Sequence, residues 1–175
     1  MLQELHLPLV IQRKVLWWFE VENPDLYTPE RFPIFITDSD SGEIYGFPLY
    51  RVPGLKIANH TGGDSTDPDN VNRNVAEHEK EDVVRLTSWF LEGVTSNVLQ
   101  RTVCLYARTP DGHFILDRHP EWPNVIIGAG FSGHGFKFAP AIGEHLVALA
   151  FDSNEQPRNL FRLGRFLDDR TSIHL

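Results

Sequence analysis

Lys56 and His60 stand four residues apart in "GLKIANH", and Lys137 closes a glycine-rich stretch, "GAGFSGHGFK", that also holds His134. Side chains on a strand alternate with period two, so a strand here puts Lys56, Ala58 and His60 on one face. The same rule puts Glu43, Tyr45 and Phe47 on one face, and Cys104 and Tyr106 on another. A lysine and a histidine together, with a phenol and a thiol on nearby strands, is unusual for a plain core. The residues alone leave plainer readings open. A lone strand cysteine serves well as an inert buried thiol. A strand lysine can snorkel to the edge of its sheet. His60 and Tyr45 can be satisfied structural polar groups. His134 and Lys137 are sharper candidates. A helix start favours anions, so a cation there implies that an anion or carboxylate sits close by.

Gly128, Gly130 and Gly133 spell G-x-G-x-x-G after the apolar Val125-Ile126-Ile127. A dinucleotide site needs more: a strand, the glycine turn, a helix, then a second parallel strand. After the helix expected here comes "DSNEQPRNLFRLGRFLDDRTSIHL", charged and broken by Pro157 and Gly164, with no continuous buried strand. Asp152 follows the helix directly, with no strand to carry it. The spelling therefore predicts a tight loop rather than a self-contained nucleotide site. Metal chemistry fares no better. The eight histidines form no H-x-x-x-H pair. Asp64, Asp67 and Asp69 lack the order of a calcium loop and read as turn residues. No metal is expected.

These residues need elements to hold them. Strands are predicted over Leu9–Phe19, Phe32–Thr37, Ile44–Phe47 and Leu55–His60, bounded by Gly, Pro, Asp and Ser. Trp17 and Trp18 read as core or sheet-edge aromatics. A helix is predicted over Glu79–Glu92, with Val83, Leu86 and Phe90 on one face, a Glu81–Arg85 pair, and Gly93 as its cap. Strands follow over Thr102–Ala107, His113–Leu116 and Asn124–Ile127. A second helix spans Ala139–Phe151, with Pro140 in its first turn and Ile142, Leu146 and Leu149 on one face. Its remaining positions are small, which predicts a close-packed neighbour. The expected class is α+β, with a mixed, largely antiparallel sheet, flanking helices and a C-terminal strand-loop-helix.

Bulk properties narrow the partners. The 175 residues suffice for one domain with a core, and the formal net charge is −8. That charge disfavours nucleic acid and anionic membranes as partners. No apolar run approaches the ~20 residues of a membrane span. The N-terminus lacks the basic region of a signal peptide. One cysteine excludes an internal disulfide. A cytoplasmic location is expected.

"VCLYARTPDGHFILDRHPEWPNVIIGAGFSGHGFKFAPAIGE" closely resembles the C-terminal signature of the monomeric sarcosine oxidase and N-methyltryptophan oxidase family, flavin amine oxidases of the D-amino-acid-oxidase fold. "IYGFP" and "GLKIANH" match further upstream in the same order. The resemblance implies a substrate-binding domain in residues 1–100 and the C-terminal portion of an FAD-binding domain in 101–175. By position, it implies that Cys104 carries FAD through a thioether and that Lys56 stands beside the flavin and assists O2. Tyr45 and His60 would line the substrate pocket, with Tyr106 a pocket aromatic. Lys137 would bind the substrate carboxylate. Gly133 and His134 would lie beside substrate and flavin. The implied reaction oxidises a small N-methyl or cyclic amino acid, such as sarcosine, and reduces O2 to hydrogen peroxide. The resemblance covers only the C-terminal half of the family. The N-terminal Rossmann part, with its own glycine fingerprint, is expected to be absent. A truncated, inactive fragment is thus one expectation, and a non-catalytic remnant that binds a partner without flavin is the other.

Overall fold

A computed structural model describes residues 3–40 and 42–166. Among the described residues, seven strands and two α-helices follow in order: β1 (Val10–Val21), β2 (Phe35–Thr37), β3 (Ile44–Phe47), β4 (Leu55–Asn59), α1 (Glu81–Phe90), β5 (Val94–Arg108), β6 (Ile115–Arg118), β7 (Ile126–Ala129) and α2 (Ala139–Phe151). Five strands form a sheet in the order β2-β3-β4-β1-β5, and β6 and β7 form an antiparallel pair. The β2–β3, β3–β4 and β4–β1 pairings are all antiparallel. The fold is α+β. Among the described residues, no helix is long and apolar enough to cross a membrane.

The chain forms two compact units. One is Gln12–Leu105; the other combines the segment through Ile11 with the chain from Tyr106 onward. In the first, alternation sends Trp17, Phe19 and Val21 of β1, Leu55 and Ile57 of β4, and Ile44 of β3 to one face, where Val83 and Leu86 of α1 close the core. In the second, Ile115, Ile127 and Leu163 make a small core with Leu5, Leu7 and Leu9 against it. That apolar contact ties the N-terminal segment to the C-terminal part of the chain.

Several boundaries differ from expectation for physical reasons. Phe32 leaves the strand, because Pro33 lacks an amide donor, and packs edge-on against Tyr27 and Phe35 at 4.9 and 5.6 Å. Helix α1 is shorter than predicted and is preceded by a 3-10 turn over Glu77–Lys80. Phe90 is 46% exposed rather than on the buried face. Arg85 pairs with Asp82 at 3.1 Å rather than with Glu81. Leu91 ends the helix, and Gly93, with φ +64°, serves the turn into β5. Strand β5 starts eight residues earlier than predicted, across the polar "VTSNVLQR", where composition conceals a strand. Helix α2 has its predicted bounds.

Candidate functional site

The strand-borne candidates assemble within Gln12–Leu105. Phe47 and Trp18 both stand opposite Lys56 in the ladder, and Tyr45 stands opposite Ala58. All therefore share the sheet face turned away from α1. The Lys56 Nζ lies 4.7 Å from the Phe47 ring centre and 5.5 Å from that of Trp18. Tyr45 meets Phe47 edge-on at 6.2 Å and His60 at 6.0 Å. The amide of His60 continues the ladder by donating to the Glu43 carbonyl at 2.8 Å. Among the described residues no carboxylate pairs with Lys56; its neighbours are rings, a cation–π setting. Burial pushes the Lys56 ammonium below its usual value, while charge on the Cys104 sulfur pulls the other way. Cys104 is a half-buried free thiol whose Sγ lies 3.8 Å from its neighbour's carbonyl at Leu105.

Two residues on this face escaped the sequence reading. Trp17 is a core aromatic as expected, but Trp18 borders Lys56 instead of serving only the core or sheet edge. Consecutive strand residues must face opposite ways, and that alternation was the available signal. Lys14 is nearly fully buried. Its ammonium donates to the carbonyls of His60 at 3.0 Å, Thr61 at 2.8 Å, and Gly62. A cation inside an apolar strand run needs such partners. Here they fix the backbone that leaves His60.

The other candidates lie in the unit that runs from Tyr106 onward. Gly130, Ser132 and Gly133 all take positive φ, at +65°, +50° and +82°. A Cβ on Gly133 would overlap the Tyr106 ring, and one on Gly130 would come within 2.5 Å of Thr109. Gly130 and Gly133 thus serve left-handed backbone and internal packing. Tyr106 is buried beneath Gly133. The buried Ser132 pins the turn, its amide donating to Ala107 at 2.9 Å and its hydroxyl to the Gly130 carbonyl at 3.1 Å. His134 sets Nε2 3.1 Å from the Gly112 carbonyl and its ring 4.9 Å from Phe114. Lys137 is exposed, with Nζ 5.2 Å from the Phe138 ring centre. Strand β7 runs antiparallel to β6, and among the described residues no strand follows α2. Among the described residues the G-x-G-x-x-G spelling is not followed by the parallel strand of a nucleotide-binding unit.

The segment "ILDRHPEWPN" serves as scaffold. The Arg118 guanidinium donates to the carbonyls of Leu149, Asp152 and Glu155 at 2.7, 2.9 and 2.8 Å, holding the C-terminal end of α2. Asp117 accepts the Leu163 amide at 2.7 Å, and the buried His119 ring accepts the Glu121 amide at 3.1 Å.

Residues 1–149 match the FAD dependent oxidoreductase (DAO) family. The chain belongs to that family. It is 35% identical to a monomeric sarcosine oxidase of Bacillus sp. (strain NS-129) over 165 residues, 93% of this chain and 43% of that protein. It is 34% identical to the human peroxisomal sarcosine oxidase over 93% of this chain and 43% of the relative. N-methyl-L-tryptophan oxidase of Salmonella heidelberg (strain SL476) is 35% identical over 91% and 43%. The chain thus spans less than half the length of these curated relatives. Among solved structures, fructosyl peptide oxidase from E. terrenum superposes with a TM-score of 0.71 at 21% identity, covering 91% of this chain and 41% of that one. Amadoriase I from Aspergillus fumigatus gives 0.70 at 16%, over 95% and 41%. At such identities the likeness concerns the fold.

The residues present fit the flavin of this FAD-dependent family. A half-buried free thiol can serve as a point of attachment, and the ammonium that interacts with it lies against the Phe47 and Trp18 rings. A cation left without a carboxylate in a partly dry setting suits an electron-rich group.

Proposed function

We propose that this chain carries the substrate-binding domain (residues 1–100) and the C-terminal portion of the FAD-binding domain (101–175) of an oxidase of secondary amino acids. Sarcosine, another small N-methyl amino acid or a cyclic one would be the substrate, with O2 as oxidant and hydrogen peroxide as product. The observation that carries this reading is Lys56, a half-buried cation among Phe47 and Trp18, beside the free Cys104. Relatives named sarcosine oxidase and N-methyl-L-tryptophan oxidase support it. FAD, when bound, supplies the two-electron oxidation and the transfer to O2. Cys104 would hold it through a thioether. Lys56 places positive charge where O2 gains electrons, which is electrostatic catalysis. Tyr45 and His60 line and orient the substrate, with His60 steadied through Lys14. Lys137 holds the carboxylate, Tyr106 supports the loop beneath Gly133, and Gly133 and His134 lie toward the cofactor. A cytoplasmic location accords with a free thiol.

One observation favours a second reading. Phe136, Phe151 and Val147 are 95, 87 and 58% exposed around α2, a run of apolar surface that a partner could cover. On that reading the chain acts by binding a partner, without flavin. Acid precipitation after incubation with FAD separates the two. A yellow pellet that becomes colourless in Cys104→Ala is expected. A colourless pellet from the unaltered, folded protein favours the partner-binding reading.

A further inference from the structure

Phe114 is the hub of an aromatic cluster. Its ring stacks on Phe161 at 5.8 Å, meets Phe138 edge-on at 5.8 Å, and lies 4.9 Å from His134. These rings, with Ile142 and Leu160, wall a cavity of roughly 290 Å³. Four polar side chains interrupt the apolar lining: His113, His134, His145 and Arg158. The exposed Arg158 reaches the cavity, and among the described residues its guanidinium has neither a hydrogen bond nor an ion pair. His145 is 10% exposed, with Nδ1 3.6 Å from the Glu155 carboxylate, and its buried Nε2 has no partner. A buried polar atom left unmatched beside apolar walls, as His145 Nε2 is, is costly, and a ligand that matches it recovers that cost.

We propose that this cavity, lined by none of Tyr45, Lys56 and His60, is a binding site for a single-ring aromatic carboxylate. The volume admits one ring with a short side chain, at the small end of ligand sites. Three phenylalanines favour an aromatic body through offset and edge-on contacts. A planar guanidinium favours a carboxylate, which it can grip with two parallel hydrogen bonds. A neutral arene would leave Arg158 unmatched, and an aromatic amine would be repelled by it. His145 Nε2 offers a second polar contact. The site shares only His134 with the residues assigned to amine oxidation, so a bound ring also touches the glycine loop.

Phenylacetate titrated into the full, 15N-labelled chain tests this by amide chemical shifts. Saturable shifts centred on Phe114, His145, Leu160 and Phe161 are expected, with a Kd below about 1 mM. Arg158→Gln, a change at an exposed residue, should weaken binding about ten-fold or more while leaving amides away from the cavity in place. Acetate and benzylamine should give no saturable shift. Undiminished binding in Arg158→Gln, equal binding of benzylamine, or no saturation by about 10 mM phenylacetate overturns the proposal. Shifts confined to Tyr45, Lys56 and Trp18 also overturn it, since they place the ligand on the strand face.

Discussion

The sheet of Gln12–Leu105 and the glycine loop before α2 hold their candidate residues in opposite ways. On the sheet, one face is sealed by α1 over Trp17, Phe19, Ile44, Leu55 and Ile57, all at most 1% exposed, and the other face presents Lys56, Tyr45 and His60. The division follows from strand alternation, so a complete core positions the reactive face directly. The loop relies on individual contacts instead, two of them to Tyr106 and Ala107 at the end of β5. It is held by left-handed residues, by the Tyr106 ring under Gly133, and by Arg118 at the far end of α2. Phe136 and Phe151 meanwhile remain solvent-exposed. A face set by periodicity is robust to what lies beyond it, whereas a loop set by close packing depends on each contact.

That contrast can be broken in four places. Gly133→Ala should cost most, about 2–4 kcal/mol, because it combines positive φ with overlap on Tyr106. Urea unfolding measures it, and a cost under about 0.5 kcal/mol would show that the loop is not held by close packing. Next, Lys56→Met in the flavin-loaded protein should slow oxidation of the reduced cofactor by O2 about 100-fold, or ~2.7 kcal/mol, in stopped-flow absorbance. An unchanged rate would strip the strand face of its proposed chemistry. Gly143→Ala is the small-scale counterpart to Gly133. A Cβ there meets nothing within 4 Å and the residue is helical, so stability should rise by up to about 1 kcal/mol in the same urea unfolding.

The smallest effect concerns pH. Burial alone would raise the Asp111 carboxyl, but hydrogen bonds from Arg165, the His113 amide and Thr109, with the Arg165 charge, outweigh it and hold the group at about 2 rather than the usual 3.8. A carboxyl depressed in the folded state stabilises above its unfolded value and loses that contribution as pH falls through the folded one. The pair is partly exposed, so the gain should stay below about 1 kcal/mol. Arg165→Gln should flatten the loss between pH 3.8 and about 2 in thermal melts. An unaltered slope would show that the pair does not steady the loop region.

Legibility in the sequence ran along the same contrast. The one-face grouping of Lys56 and His60 was readable because period two is a local rule, whereas the pairing of β3 with β4 brought Tyr45 to that face. The first eight residues of β5 were missed because the polar stretch "VTSNVLQR" carries no clear hydrophobic alternation. The failure of G-x-G-x-x-G as a nucleotide motif was readable from the charged segment after α2, broken by Pro157 and Gly164. The internal use of its glycines was not, since the overlap of Gly133 with Tyr106 joins residues 27 positions apart. Nor could spacing reveal that Arg118 clamps the end of α2, because the carbonyls it holds lie at Leu149, Asp152 and Glu155. Side-chain order along a strand and the helix register of α2 are local properties, and the sequence by itself determined them. Which glycine is packed, which lysine lacks a carboxylate and which arginine lines a cavity depend on residues far apart in the chain, and tertiary structure alone decided them.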